Sequence, residues 1–309
     1  MSGNEVAAER RETSGGSASS TDPTTAGLRG PHGGFTMVAL DQRESLRRMF
    51  PLVGGQEVGD EVLRGFKTAA ESVLAPLASA ILLDRPLAVR DGRPAEIGGC
   101  PLILAADELD QPPGRGVVGS GLDAEVTPDF VRSVGAAAVK LLVIWRPDGR
   151  QEQRADLVGR FLELARRAGV VSLVEGIVRP ATVDDWPDAS ERHAAILDAA
   201  KELSALGADI YKAEVPGYVP GDLSEVQEQA ARLSELVPGP WVVLSNGVAS
   251  GDFPDAVAAS VAGGASGFLA GRAIWADTVT DPDPEAALRD RSTARLRTLT
   301  DIVRRGLRR

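Results

Sequence analysis

The chain has 309 residues and a formal charge of −10, which excludes a general nucleic-acid binder, since such proteins need a basic surface to engage phosphates. Hydrophobic residues make up 43 % and charged residues 25 %, the balance of a globular protein, and no apolar run approaches the roughly 20 residues that span a bilayer. One cysteine, Cys100, excludes an intramolecular disulfide framework, and two histidines, His32 and His193, are too few for a three-histidine zinc site; no metal or other cofactor is expected.

Residues 1–33 read as a disordered tail, polar and rich in Gly, Ser and Thr, without the apolar core of a secretory signal. With the single cysteine, this points to the cytoplasm. One domain, 34–309, is expected to follow. Its apolar runs are FTMVALD (35–41), SAILLD (79–84), PLILAAD (101–107), AVKLLVIW (138–145), VVSLVE (170–175), DIYKAEV (209–215), WVVLS (241–245) and SGFLAG (266–271). Each has strand length and is nearly continuously apolar, as parallel strands buried on both faces must be. Between them, 60–77, 151–168, 190–206, 222–237, 254–263 and 284–306 place apolar side chains at three- and four-residue intervals. Gly-Ala or Ala-Gly pairs at 135–136, 168–169, 207–208 and 264–265 mark helix ends before strands. The link 85–100 is too short and too rich in Pro and Gly for a full helix. Eight strands alternating with helices predict an α/β fold, a single-domain (β/α)8 TIM barrel. A doubly wound Rossmann sheet is the competitor, but no G-x-G-x-x-G follows the first strand.

In such a barrel the site gathers at the C-terminal ends of the strands. Polar residues stand in or just after the apolar runs: Asp41, Asp84, Asp107, Lys140, Glu175, Lys212, Glu214, Ser245 and Arg272. The chain uses thirty arginines and only four lysines, Lys67, Lys140, Lys201 and Lys212, so a lysine inside a strand is informative. Lys212 lies within Asp-Ile-Tyr-Lys-Ala-Glu-Val, where burial favours a neutral amine, the nucleophile of Schiff-base chemistry. Lys140 is the candidate second cation that depresses the Lys212 pKa. The plainer alternative makes either lysine half of a structural ion pair. Glu214 shares the strand face of Lys212 at period two, and Glu175 closes the adjacent strand, where a carboxyl can shuttle protons; both also suit salt bridges to the lysines. Asp41 and Asp84 suit substrate hydroxyls, or caps of the following turns. Gln42 and Arg43, directly after Asp41, join the substrate-binding candidates. The last two strands end in Ser245-Asn246-Gly247 and Ala270-Gly271-Arg272, where this fold recurrently binds phosphate through backbone N–H groups, a hydroxyl and a cation.

Phe35–Arg43 (FTMVALDQR), Ala80–Asp84 (AILLD), Lys140–Trp145 (KLLVIW), Tyr211–Pro216 (YKAEVP) and Gly267–Trp275 (GFLAGRAIW) resemble the class I aldolase family that contains tagatose-1,6-bisphosphate aldolase and sulfofructosephosphate aldolase. The resemblance runs from about residue 33 to about residue 306. It implies reversible aldol cleavage to dihydroxyacetone phosphate and a three-carbon aldehyde, with Lys212 as the Schiff-base residue and Lys140 and Glu175 as its catalytic neighbours. KLLVIWRPD and VEGIVRP look more like the sulfofructosephosphate branch, which implies 6-deoxy-6-sulfofructose 1-phosphate as substrate and sulfolactaldehyde as product; tagatose or fructose 1,6-bisphosphate is the alternative. Arg146 or Arg179 would serve a sulfonate, or else form surface salt bridges. Gly176 stands where close relatives are expected to carry proline. The expected partner is a small sugar phosphate, with no nucleic acid or membrane, and the protein is expected to be a homo-oligomer. A non-catalytic sugar-phosphate sensor is the reading from another functional class.

Overall fold

The computed structural model describes residues 24–308 except 91, 95, 96, 113, 114, 182–185 and 187. Eight parallel strands close into a barrel: β1 (Phe35–Leu40), β2 (Ile81–Asp84), β3 (Leu102–Ala105), β4 (Ala138–Trp145), β5 (Val171–Val178), β6 (Ile210–Ala213), β7 (Trp241–Val243) and β8 (Gly267–Ala270), with β8 pairing back onto β1. Every expected strand is present, and all are in chain order around the barrel.

Strand periodicity explains how this barrel builds its site. Successive side chains alternate between the interior and the surrounding helices. The lower interior holds Phe35, Met37 and Ala39 from β1, Ala80 and Leu82 beside β2, Ile103 and Ala105 from β3, Ala138 from β4, Val171 and Leu173 from β5, and Ile210 from β6, packed as one apolar cluster. Continuing each column by two residues replaces the apolar side chain with a charged one: Asp41, Asp84, Asp107, Lys140, Glu175 and Lys212. The opposite parity, including Val38, Leu83, Leu104, Val139, Val174 and Tyr211, packs outward against the helices in the larger core. The barrel is therefore oily at its base and ionic at its top.

The helices observed at Asp60–Leu74, Gln151–Ala168, Ala189–Ser204, Val226–Leu236 and Phe253–Ala262 follow the predicted spans closely. The predicted 284–306 helix is divided into Pro284–Ala287, a π turn at Leu288–Ser292 and Thr293–Gly306. After β2 the chain makes one helical turn, Arg85–Ala88, and the small pairing of Val89–Arg90 with Arg93–Pro94, as the short link required. An antiparallel hairpin, Asp107–Asp110 with Gly119–Leu122, follows β3.

Residues 1–23 of the expected tail lie outside the described residues. Within 24–33, also assigned to the tail, Thr25–Leu28 forms a 3-10 turn that buries Leu28 against the base of the barrel, and the Arg29 guanidinium sits 4.2 Å from the Phe35 ring centre. Leu28 is the one aliphatic anchor in a polar stretch, and the apolar floor of the barrel gives it somewhere to pack. Among the described residues no helix is long and apolar enough to cross a membrane.

Candidate active site

Strand pairing sets Lys212 directly beside Glu175, and Leu142, two residues beyond Lys140, beside Glu175 on the other side. Three neighbouring strands thus bring two ammonium groups to one carboxylate. Glu175 Oε1 lies 3.0 Å from Lys212 Nζ and Oε2 lies 3.1 Å from Lys140 Nζ. Lys140 is fully buried, and its ammonium also meets Asp41 at 2.6 Å and Asp107 at 2.9 Å. The ammonium donates a hydrogen bond to Asp107 Oδ2 and pairs as an ion with Asp41 and Glu175.

Burial opposes the charge on Lys140, but Asp107, Asp41 and Glu175 outweigh it and hold its pKa well above the usual value. Burial likewise opposes ionisation of Asp41, and Lys140 and then Lys212 overcome it, so Asp41 titrates below the usual carboxylate range. Lys140, expected as the second cation near Lys212, is enclosed by three carboxylates, and the Glu175 carboxylate stands between the two ammonium groups.

Lys212, Glu175, Asp41, Gln42, Asn246 and Arg272 line one cavity of about 160 Å³ at the top of the barrel. Leu142, Ile144 and Ile177 form its apolar wall, Leu109 and Val117 from the hairpin segment cover it, and Arg179 completes it. Arg272 donates to Asn246 Oδ1 at 2.6 Å, which ties the β8 loop to the β7 loop.

The other candidates border the cavity without their side chains lining it. Asp84 is fully buried; it pairs with Lys67, accepts the Leu87 N–H at 3.0 Å and so caps the next turn. The reading as a substrate contact is corrected in favour of the cap. Arg43 binds the Asp107 carboxylate at 3.1 Å and its carbonyl at 2.9 Å, so it braces Asp107 rather than facing the cavity. Glu214 accepts the Val178 N–H at 2.8 Å, Arg192 at 3.0 Å and Asn246 at 3.2 Å, joining the ends of β5, β6 and β7. It does not pair with either lysine. Ser245 is nearly buried, and its carbonyl accepts the Val248 N–H. The Arg192 guanidinium lies over Gly247, 3.3 Å from where a Cβ would stand. Gly271 has a packing cause: a Cβ there would sit 2.6 Å from the Ala39 carbonyl oxygen where β8 closes on β1. Gly176 lies within β5, and a Cβ there would collide with the buried Tyr211 hydroxyl on β6.

Two supporting residues were missed in the sequence. Lys67, on the Asp60–Leu74 helix, is 1 % exposed and donates to the Leu40 carbonyl at 2.5 Å as well as to Asp84. Its signal was its position on the apolar stripe with Leu63, Phe66 and Ala70. Arg192 carries no comparable signal, because a helix-borne arginine reads as surface.

The description of the DeoC/LacD family aldolases matches residues 35–277. The tagatose 1,6-diphosphate aldolase of Listeria monocytogenes is 32 % identical over 284 residues, covering 80 % of this chain and 79 % of the relative. Tagatose 1,6-diphosphate aldolase 1 of Streptococcus mutans is 28 % identical, covering 81 % and 83 %. Among solved structures, an archaeal fructose 1,6-bisphosphate aldolase superposes with a TM-score of 0.62 at 18 % identity, over 91 % of this chain and 98 % of the other, a likeness of fold. The chain belongs to the DeoC/LacD aldolase family, and its enzyme class is lyase.

Proposed function

We propose that the protein is a class I aldolase that cleaves a ketose 1-phosphate through a Schiff base on Lys212. The observation that carries this reading is the buried Lys212–Glu175–Lys140 chain at the cavity floor. Proton transfer from the Lys212 ammonium to Glu175, across 3.0 Å, leaves a neutral amine beside a carboxylic acid. The amine adds to the C2 ketone, and the resulting carbinolamine loses its hydroxyl as water with a proton from Glu175. The Glu175 carboxylate so formed takes the C4 hydroxyl proton. The C3–C4 bond breaks, its electrons pass to the iminium nitrogen, and an aldehyde leaves. Protonation of the enamine at C3 and addition of water then release dihydroxyacetone phosphate and restore Lys212. Lys140 stays charged throughout and holds Asp41 and Glu175 in place. Asp41, held ionised by Lys140 and then Lys212, orients substrate hydroxyls. Arg272, Asn246 and the backbone at Ser245, Gly247 and Gly271 receive the C1 phosphate.

The preferred substrate is 6-deoxy-6-sulfofructose 1-phosphate, supported by KLLVIWRPD and VEGIVRP. A second reading, tagatose or fructose 1,6-bisphosphate, is supported by the names of the relatives. The cytoplasmic, homo-oligomeric form belongs to the same proposal. Cleavage of each ketose, coupled to reduction of dihydroxyacetone phosphate, ranks the two substrates. A Lys212→Ala protein is expected to retain under about 1 % of turnover on the better substrate. Retention of more than a few per cent would refute the scheme, and wild-type binding without turnover on any ketose would favour the sensor instead.

A further inference from the structure

A second cavity, of about 320 Å³, opens between the Gly119–Leu122 arm of the hairpin, the end of β4 and the start of the helix Gln151–Ala168. Neither Lys212 nor Glu175 lines it. Val143, which packs outward from the barrel, and Leu157 of the helix give it an apolar floor. In the sequence, positions 150, 153, 154, 157 and 160 follow three- and four-residue spacing, so one stripe of the helix faces the cavity. Four arginines line it, Arg146, Arg150, Arg154 and Arg160, against one carboxylate, Asp148. Arg154 is buried and takes Asp148 at 2.8 Å and Glu202 at 2.6 Å, and Arg160 pairs with Asp156 at 3.0 Å. Arg146 donates to the Pro180 carbonyl, and the backbone N–H of Arg150 donates to Asp148 at 3.0 Å. Neither the Arg146 nor the Arg150 guanidinium has a carboxylate oxygen within 4.0 Å among the described residues. The surface salt bridge considered for Arg146 is therefore absent among those residues.

We infer that this cavity binds a small phosphorylated ligand outside the catalytic cavity, gripped by the Arg146 and Arg150 guanidinium groups. Cations gathered at helical spacing repel one another, and a concave site with apolar walls focuses their field. In a chain of net charge −10 this cluster is a local reversal of sign. A phosphate would supply the counter-charge that Arg146 and Arg150 lack, through the planar fork that suits its oxygens. The cavity is of the size that takes small molecules. Its walls are fixed before any ligand arrives. Ser120 Oγ donates to the Leu142 carbonyl at 2.5 Å and holds the hairpin arm against β4, while Asp148 and Glu202 anchor Arg154 below. At Gly121 open space stands where a Cβ would be, so the backbone there is bare to a ligand. The assignment goes beyond the aldolase reading and stands independently of the chemistry at Lys212.

The test is calorimetric titration of the full chain with inorganic pyrophosphate at low ionic strength, where screening is weak. The variants are Arg150→Gln, Arg146→Gln and, as the control for the catalytic cavity, Arg272→Gln. Arg150 is exposed, so its variant is expected to keep the wild-type Tm within about 2 °C. Arg150→Gln is expected to weaken binding about tenfold, as loss of a charged hydrogen bond does, and Arg146→Gln at least as much. Arg272→Gln is expected to leave this binding event in place. Pyrophosphate is expected to slow amide exchange in residues 119–122 and 150–154, which border the cavity. An affinity unchanged in both Arg150→Gln and Arg146→Gln, or lost in Arg272→Gln alone, would put the ligand in the catalytic cavity and overturn the assignment. Wild-type protein that shows no saturation below about 10 mM would overturn it as well.

Discussion

Lys140→Met removes one charge from the centre of the site while keeping the length of the side chain. In the native protein the ammonium neutralises Asp41, Asp107 and Glu175, at 2.6, 2.9 and 3.1 Å. Without it, three carboxylates face one buried point, with Lys212 and Arg43 left to serve two of them from one side. Breaking a buried pair by removing one partner costs about 3–5 kcal/mol. At roughly 2 °C per kcal/mol for a chain of this size, the expected fall in Tm is about 6–10 °C at pH 8. The deficit should depend on pH in a definite sense. Native Asp41, held below the usual carboxylate range by the lysines, stays ionised at pH 8 and at pH 5.5. In the variant, mutual repulsion raises a carboxylate pKa above its unfolded value. The folded variant then binds more protons than the unfolded chain, so its stability increases as pH falls. Differential scanning fluorimetry at the two pH values reads both effects. A fall below about 3 °C at pH 8, or an equal fall at pH 5.5, would refute the assignment of Lys140 as the neutralising centre.

Asp107→Asn removes one carboxylate from Lys140 while retaining an acceptor for the Leu142 N–H, which Asp107 Oδ2 now receives at 3.0 Å. The expected result is a fall in kcat of about tenfold with KM nearly unchanged; loss confined to KM would contradict a positioning role. Gly176→Ala should clash with the Tyr211 hydroxyl and destabilise by about 1–3 kcal/mol. Adding Tyr211→Phe should restore part of the lost Tm, and no rescue would place the strain elsewhere. Burial pushes the Cys100 thiol up to about 12, so iodoacetamide at pH 8 should label it roughly a thousandfold more slowly in native protein than in denatured protein. Equal rates would contradict that environment.

The barrel was legible because each strand is buried on both faces and interrupted by helices of clear period. The ionic ring was legible for the same reason: a polar residue at the end of an otherwise apolar column has few places to go except the barrel mouth. Roles within the ring were less legible. Asp41 and Asp84 end neighbouring strands with the same parity, yet only Asp41 reaches the cavity, because Lys67 claims Asp84 from the helix side. Glu214 follows Lys212 at period two but reaches the next loops instead, drawn by Arg192, Asn246 and the Val178 N–H. These outcomes depend on which cation arrives from another element, and contacts so distant in the chain leave no local pattern. Lys67 is the exception, since its place on an apolar helical stripe was readable from the spacing alone.

The central claim is that Lys212 is the amine that bonds to substrate. The most direct measurement is intact mass and peptide mapping after borohydride reduction in the presence of dihydroxyacetone phosphate, with Lys212→Arg in parallel. The account predicts one reduced adduct per chain, carried by the peptide that holds Lys212 and missing from the variant. An adduct on Lys140 or Lys67, or none on any lysine at saturating ligand, would contradict it.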